Sequence, residues 1–192
     1  MKTPRLFAIA ASLLCLAILP AAQAGLQVGG GVNYLSPTDS ENDDDDLIGA
    51  NLELGLFAEG VVVDSFFGIN ALITGDDNNN FGTKSEADYL SAMLLYRGMF
   101  KLSDTVPIRL YGEGGLGLSR TEVTIASVGN NDFNTDDYGV GYSLGAGVEF
   151  AITNNFDIDF GYNFLGLTDV SVLNTDYGGN YHSFRLNAVL RF

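Results

Sequence analysis

The residues of this sequence that could do chemistry together are isolated charged residues of both signs. They stand in otherwise apolar stretches and comprise Glu53, Glu113, Glu149, Asp157, Asp159, Arg97, Arg109 and Arg185. If they share a narrow interior, each must be paired or hydrogen-bonded, because an isolated buried charge is strongly disfavoured. Such a set has two interpretations: the selectivity lining of a channel, or a plug of ion pairs that closes it.

His182 is the only histidine and the natural candidate for acid–base chemistry. Catalysis would need a nucleophile and a carboxylate beside it. Ser183 is adjacent in sequence, but neighbouring residues on a strand point to opposite faces. We therefore expect no catalytic activity and a structural place for His182.

The stretch GEGGLG, residues 112–117, spells the glycine spacing of a dinucleotide site. Such a site needs a strand before the glycines and a helix after them. Here the motif lies within a strand-like pattern and no helical pattern follows. We interpret these glycines as packing residues and expect no nucleotide or other cofactor.

Two acidic runs, DSENDDDD at 39–46 and GDDNNN at 75–80, offer oxygen ligands of the kind that Ca²⁺ prefers. The weak candidates for a metal site are Asp43, Asp44, Asp45 and Asp46. Neither run has the spacing of an EF-hand loop, so a solvated, self-repelling loop is favoured over a metal site. A shared cation site that bridges to phosphates of surface lipids stays an alternative.

The first 24 residues have the organisation of a secretory signal peptide. Lys2 and Arg5 precede an apolar run, and Ala22 and Ala24 occupy the small-residue positions of a cleavage site. Cleavage after Ala24 would remove the only cysteine, Cys15, and would change the formal net charge from −15 to −17. Such an acidic chain is a poor partner for nucleic acid, whose phosphates need cations.

Residues 25–192 show strand periodicity eight times and no convincing helical periodicity. In each segment apolar residues alternate with small or polar ones, as Val140, Tyr142 and Leu144 do with glycine and serine. The segments lie near residues 26–34, 48–59, 67–73, 90–100, 108–119, 139–150, 156–164 and 184–192. Five apolar residues interrupt the alternation: Phe57, Met93, Leu95, Met99 and Val189.

The connections between these segments alternate between long and short. The long ones, near 35–46, 75–88, 121–137 and 166–180, are rich in Asn, Asp and Gly and are expected to be loops. This alternation is typical of an up-and-down barrel whose two ends face different environments. Segments of roughly ten residues match the ~9–11 that a tilted strand needs to cross a bilayer. The sequence therefore predicts an all-β fold, an eight-stranded antiparallel up-and-down transmembrane β-barrel over residues 25–192, with its short connections in the periplasm.

The two faces of the predicted strands differ in size as well as polarity. One face has rows of large apolar side chains, which suit lipid. The other has small residues and single charges, which suit a narrow lumen. Because open aqueous channels need about 16 strands, we favour the plug over the selectivity lining. Aromatic residues near the strand ends predict the interfacial girdles of a membrane barrel, and His182 is expected in one of them.

Positions along the strands indicate how the lumen charges pair. Counted from the short connections, Arg97 and Glu113 lie at similar heights on adjacent strands, and Arg185 and Glu53 share a height across the first strand. We expect two interior ion-pair clusters built on these couples. Two further acids are expected beside the first couple: Glu149 and Asp159.

The last residues, HSFRLNAVLRF, alternate apolar and polar positions and end on Phe192. This ending resembles the C-terminal signal by which the barrel-assembly machinery recognises bacterial outer-membrane barrels. The resemblance assigns that role to Phe184, Leu186, Leu190 and Phe192. Over residues 25–192 the chain resembles, by pattern, the eight-stranded OmpA-like/OmpX-like outer-membrane barrel superfamily, which includes the opacity-type surface proteins.

The resemblance implies a monomeric integral protein of the Gram-negative outer membrane, in contact with outer-membrane lipid and lipopolysaccharide. Its role would be envelope integrity or surface interaction through acidic extracellular loops. One alternative is a minor porin for small solutes or ions. Another is a lipid A-modifying enzyme, although the His-x-Ser spacing of lipid A deacylases is absent.

Overall fold

The chain forms a closed, eight-stranded antiparallel barrel. The computed structural model describes residues 24–38, 46–60, 63–80, 83–103, 106–127, 133–172 and 175–192. Each strand pairs with its neighbours in sequence, and β1 also pairs with β8. The strands are β1 (Ala24–Pro37), β2 (Leu47–Ala58), β3 (Val63–Asn80), β4 (Thr83–Lys101), β5 (Ile108–Ser127), β6 (Phe133–Ala151), β7 (Phe156–Val172) and β8 (Thr175–Arg191). The predicted all-β, up-and-down fold is confirmed.

Apart from Ala24, the predicted signal peptide lies outside the described residues. No helix in the described ranges is long and apolar enough to span a membrane. The short connections follow β2, β4 and β6 and lie at one end of the barrel, called the base. The connections predicted to be long follow β1, β3, β5 and β7 at the other end, called the rim, but only two residues separate Asn80 of β3 from Thr83 of β4 and Val172 of β7 from Thr175 of β8.

The outer and inner faces differ as the period-two pattern predicts. Large apolar side chains are exposed on the outer face, where Leu118 and Leu144 are each 69% exposed. The side chains that alternate with these outward residues along each strand, such as that of Ser119, point inward and are buried. A continuous exposed apolar belt would be unstable in water, so the belt indicates contact with lipid.

The strands are longer than a membrane crossing requires. They range from 12 residues in β2 to 20 in β5, against the ~9–11 that span a bilayer. The extra length lies at the rim, where β3 pairs with β4 as far as Asn80↔Thr83 and β5 with β6 as far as Ile125↔Phe133. The expectation that 75–88, 121–137 and 166–180 are loops was wrong for most of these residues. Hydrogen bonds between neighbouring strands satisfy the backbone N–H and C=O groups even where the residue types are typical of loops.

The five apolar residues that interrupt the alternation all point into the lumen. Phe57, Met93, Leu95, Met99 and Val189 are at most 4% exposed. The strands stay in register through each of them. The backbone therefore keeps its period of two. The sequence pattern is interrupted only because these inward positions hold large apolar residues instead of small or polar ones.

One glycine on the inner face of β5 marks a close approach between strands. A Cβ on Gly117, which faces the lumen, would overlap the carbonyl oxygen of Ala92 on β4. Gly114 faces lipid, and a Cβ there would lie 3.9 Å from the nearest atom, the carbonyl oxygen of Ser143. Of the two positions, only Gly117 requires a residue without a side chain.

Gly117→Ala should destabilise the folded barrel by about 1–3 kcal/mol, because the added methyl group must displace the backbone of β4. Gly114→Ala, its matched control, should be neutral or slightly stabilising, because alanine loses less conformational entropy on folding than glycine does. Urea unfolding of the refolded variants in lipid vesicles measures both effects. Equal effects of the two substitutions would contradict the close approach at Gly117.

Candidate functional site

Five charged residues from five strands meet in the middle of the lumen. We call Arg97, Arg185, Glu53, Glu113 and Asp159 the central cluster. Arg97 on β4 is the register partner of Glu113 on β5, and the other three project from β2, β7 and β8. All five are buried. Inward positions of non-adjacent strands converge because an eight-stranded lumen is only wide enough for side chains.

Both arginines of the central cluster contact the same two glutamates. Arg97 Nε lies 2.7 Å from Glu113 Oε2, and Arg97 Nη2 donates to Glu53 Oε1 at 3.0 Å. Arg185 Nη1 lies 2.9 Å from Glu113 Oε1 and 3.1 Å from Glu53 Oε1. Arg185 Nη2 also lies 3.2 Å from Asp159 Oδ2. Three of these ion pairs, Arg97–Glu53, Arg185–Glu113 and Arg185–Glu53, therefore connect strands that share no backbone hydrogen bonds.

A second set of charges closes the lumen at its base. Arg109 contacts three carboxylates, with Nε 3.3 Å from Asp64 Oδ2 and Nη1 2.9 Å from Glu149 Oε1 and 3.3 Å from Asp157 Oδ2. Arg191 Nη2 lies 2.7 Å from both carboxylate oxygens of Glu149, and Arg191 also pairs with Asp157. The base cluster has equal numbers of cations and acids: Lys101, Arg109, Arg191, Asp64, Glu149 and Asp157.

The structure groups the lumen charges differently from the expected arrangement. The two expected couples are both in contact, yet they form one cluster rather than two, because the guanidinium groups reach across the narrow lumen. Glu149 was expected beside the first couple and lies in the base cluster instead. The cause is register, since Glu149 is the direct partner of Arg109 on β5.

Three members of the base cluster were not predicted from the sequence to be lumen charges. Arg191 stands on the polar face of the last strand, so period two could have placed it in the lumen. Asp64 and Lys101 lie where β3 begins and β4 ends, at positions that sequence reasoning assigned to short connections. Strand ends are the least certain part of a periodic pattern, so no clear signal marked these two residues.

Apolar residues form layers beside the charges. The layer next to both clusters contains Phe57, Phe66, Leu95, Met99 and Tyr111. The Arg191 guanidinium carbon lies 4.1 Å from the centroid of the Phe57 ring, and that of Arg97 lies 4.6 Å from the centroid of the Tyr111 ring. A larger layer toward the rim contains Leu35, Leu47, Leu72, Ala87, Tyr89, Met93, Val123, Leu165, Leu167 and Tyr181.

Little space is left beside the central cluster. The cavity there has a volume of about 30 Å³ and is lined in part by Asn33, Asn70, Asn163, Ser143 and Ser183. One water needs roughly 10–15 Å³ of such space, so the cavity has room for about one or two waters. Asn163 Oδ1 is buried and has no hydrogen-bond partner among the described residues, which makes it a suitable acceptor for such a water.

At the rim, β7 separates from β6 and turns into the lumen. The pairing of β6 with β7 reaches only as far as Tyr142↔Gly166. Beyond that point Thr168 of β7 is held by side chains of β5. Its N–H donates to Ser119 Oγ at 2.9 Å, and its carbonyl oxygen accepts from Thr121 Oγ1 at 2.8 Å. The start of the β7–β8 hairpin thus lies over the mouth of the barrel.

Comparison with known proteins identifies the family. The outer membrane protein beta-barrel domain matches residues 7–192 of this chain. The chain belongs to the outer membrane β-barrel family. It is an integral protein of the bacterial outer membrane, and the predicted superfamily and location are confirmed.

Solved structures of other outer membrane barrels have the same fold. The attachment invasion locus protein Ail of Yersinia pestis, in complex with the heparin analogue sucrose octasulfate, has 18% sequence identity and a TM-score of 0.55, covering 88% of this chain and 97% of Ail. A major outer membrane protein from Thermus thermophilus has 13% identity and a TM-score of 0.54, covering 88% and 99%. At these identities the likeness shows the fold alone. No curated protein sequence matches the chain.

The single histidine of this outer membrane barrel is on the lipid-facing side near the rim. His182 Nδ1 lies 2.7 Å from the Tyr162 hydroxyl, and the two rings are stacked with centroids 5.9 Å apart. Ser183 points into the lumen and is buried. The two residues are on opposite faces of the sheet, so they do not meet at one substrate.

The acidic run before β2 is described only at its last residue. Of the four aspartates considered as metal ligands, Asp43, Asp44 and Asp45 lie outside the described residues. Asp46 accepts a hydrogen bond from the Tyr34 hydroxyl, which holds the pKa of its carboxyl below the usual value. Within the described ranges, no group of three or more His, Cys, Asp or Glu side chains is placed to hold a metal ion.

The residues of the predicted assembly signal form an outward row on β8. Phe184, Leu186, Leu190 and Phe192 are all exposed. Phe192 also closes the barrel, because its N–H donates to the Leu26 carbonyl oxygen at 2.9 Å and its carbonyl oxygen accepts from the Leu26 N–H at 3.0 Å. Recognition of this row by the barrel-assembly machinery stays a prediction.

Arg97→Ala should destabilise the barrel by about 3–5 kcal/mol, because it leaves Glu53 and Glu113 buried with one cation fewer. Combining it with Glu113→Gln should recover part of that loss. The control is Arg120→Ala at the rim, where the guanidinium lies 2.9 Å from Glu122; this partly exposed pair should contribute no more than about 1 kcal/mol. Urea unfolding in vesicles measures these three variants and Glu113→Gln alone. A double variant equal to the sum of its single variants would refute the coupling.

Proposed function

We propose that this outer membrane barrel is a closed surface-interaction protein that displays an acidic β-sheet outside the cell and neither conducts solutes nor catalyses a reaction. The proposal places the rim outside the cell and the base in the periplasm, with the protein monomeric among lipid and lipopolysaccharide. The observation that carries it is the edge of β6, which has no partner strand among the described residues where β7 turns into the lumen.

The free edge of β6 is nine residues long, 133–141. Its pairing with β7 stops at Tyr142, whereas its pairing with β5 continues to Phe133. Within the edge, the N–H of Tyr138 donates to the side chain of Asp137 at 2.7 Å. A row of unpaired N–H and C=O groups is a template for an added strand, which is a common mode of peptide recognition.

Local sequence explains why β7 leaves this edge. Gly139 of β6 faces the lumen, and a Cβ there would lie 2.5 Å from Thr168 Oγ1. Thr168 therefore fills the space that a side chain of β6 would occupy. Because Thr168 is fixed to β5 through Ser119, the edge results from specific contacts and not from fraying.

The charge of the rim favours a basic partner. The rim segments 35–46, 75–88, 121–137 and 166–180 contain 16 of the 24 acidic residues and one of the nine basic residues, Lys84. Beside the free edge, Arg120 is already paired with Glu122 and Asp136. An extended segment with Lys or Arg side chains would gain both ladder hydrogen bonds and charge complementarity.

A synthetic peptide of alternating Lys and Val should add to β6 and slow amide hydrogen exchange at residues 134–141 of the refolded protein in vesicles. The same peptide with a central proline is the matched control and should protect fewer amides, because proline cannot complete the ladder. Asp136→Asn with Asp137→Asn should weaken binding with little effect on stability, because both side chains are exposed. Unchanged exchange at 134–141, or equal protection by both peptides, would rule out strand addition.

The filled lumen supports the absence of conduction. Two charged clusters and two apolar layers occupy it, and the cavity beside the central cluster is about 30 Å³. The second candidate function, a minor porin for small solutes or ions, would need an aqueous path through these layers.

Refolded protein inserted into a planar lipid bilayer should give no stable open steps of current, because ion pairs and apolar layers block the lumen. A preparation that was denatured and not refolded controls for leakage caused by detergent. Stable unitary steps seen with the refolded protein alone would favour the porin.

Lipid A modification is the enzymatic alternative. It would need a nucleophile and a carboxylate beside His182 on the lipid-facing surface. The contacts of the His182 ring in the described structure are with the rings of Tyr162 and Phe164. These contacts support a non-catalytic role for the histidine.

A further inference from the structure

A series of aromatic rings covers the lipid-facing side of β6, β7 and β8 near the rim. The ring centroids of Tyr142 and Phe164 are 6.2 Å apart, and those of Phe164 and His182 are also 6.2 Å apart. The series continues from His182 to Tyr162 at 5.9 Å and from Tyr162 to Phe184 at 5.5 Å. The rings support one another, so polar side chains among them are held in place.

Two polar side chains in this series are hydrogen-bonded to tyrosine hydroxyls. Asn180 Oδ1 accepts from the Tyr142 hydroxyl at 2.6 Å, and His182 Nδ1 lies 2.7 Å from the Tyr162 hydroxyl. Asn180 Nδ2 is left as an N–H donor, and His182 Nε2 is a donor in the tautomer whose Nδ1 accepts from the Tyr162 hydroxyl and in the protonated ring. The two residues are two positions apart on β8, so they share a face at a separation of roughly 7 Å. Together they form a pair of donors directed away from the barrel.

The donor pair lies at the height of lipid headgroups. His182 is ten residues from Phe192 along β8, which corresponds to about 33 Å along a strand and about 25 Å along the barrel axis at a tilt of ~40°. The apolar band of an outer-membrane barrel has this height. With Phe192 at one interface of the membrane, Asn180 and His182 are at the other.

We propose that Asn180 and His182 form a binding site for the phosphate group of a glycolipid in the outer leaflet. The two N–H groups donate charge-assisted hydrogen bonds to the phosphate oxygens, and the surrounding rings contact the rest of the lipid. The site rests on the proposed orientation of the barrel but not on the proposed protein partner at β6, so the two can fail independently.

The acidic rim does not prevent this assignment. Asp46 reaches the end of the series through Tyr34, whose ring centroid lies 6.4 Å from that of Phe184 and whose hydroxyl donates a hydrogen bond to the Asp46 carboxylate. Charges farther along the rim are screened over about 8 Å at physiological ionic strength. Within the series itself, the polar groups directed outward are donors, and among headgroup atoms a phosphate oxygen is the strongest acceptor for them.

The proposal can be tested by direct contact between His182 and phosphorus. Because His182 is the only histidine, ring-¹⁵N-labelled histidine reports on one site. The refolded protein is placed in vesicles of galactolipid, which contain no phosphorus, with bisphosphorylated lipid A added. Solid-state NMR should show ³¹P dephasing of the Nε2 signal, with an N···P separation of about 4 Å for a hydrogen-bonded phosphate. No dephasing would overturn the site. Equal dephasing by inorganic phosphate alone would overturn the assignment to a lipid.

Affinity measurements with variants provide the second test. His182→Phe and Asn180→Leu each remove one donor and keep the bulk of the side chain, and each should weaken binding of bisphosphorylated lipid A about tenfold. Binding of dephosphorylated lipid A should not change. The matched control is Tyr96→Phe near the base end of β4, which should leave both affinities unchanged. Unaltered affinity of folded His182→Phe for the phosphorylated lipid would overturn the proposal.

Discussion

Inside a bilayer the backbone has no water to bond with, so every N–H and C=O of a spanning strand needs a partner within the protein. The ladder between β1 and β8 supplies the last of these partners, from Gln27↔Arg191 to Pro37↔Tyr181. Once the ring closes, the number of strands fixes the width of the lumen. The contents of the lumen and the apolar belt on the outside both depend on this closure.

The narrow lumen determines how the charged side chains inside it interact. Arg97 and Arg185 reach Glu53 and Glu113 together because side chains from opposite walls meet on the axis. In a wider barrel each charge would have its own shell of water. Here aromatic and aliphatic layers exclude most water from the central cluster, which strengthens its ion pairs and favours closure over transport.

Period two was enough to predict which residues face lipid, because the alternation of side chains is a property of the extended backbone itself. It could not predict what fills the lumen: Phe57 and Val189 are of the type that faces lipid, yet they pack inside. The contact of Glu149 with Arg191 could not be predicted from the sequence either, because it depends on how the strands are staggered in the closed barrel. The same holds for the free edge of β6, which depends on Thr168 being held by a strand two positions away in the sheet.

The lumen network also constrains how the barrel can form. The hydrogen bond from Arg191 to Gln27 spans 164 positions, and that from Asn187 to Glu53 spans 134. A chain that lacks β8 would therefore leave the carboxylates of both clusters without two of their guanidinium groups, in addition to an open sheet edge. Half-built barrels are high in energy for both reasons, which favours cooperative, all-or-none insertion at a slow rate. The interior charges thus make the stability of the barrel depend on a complete set of strands.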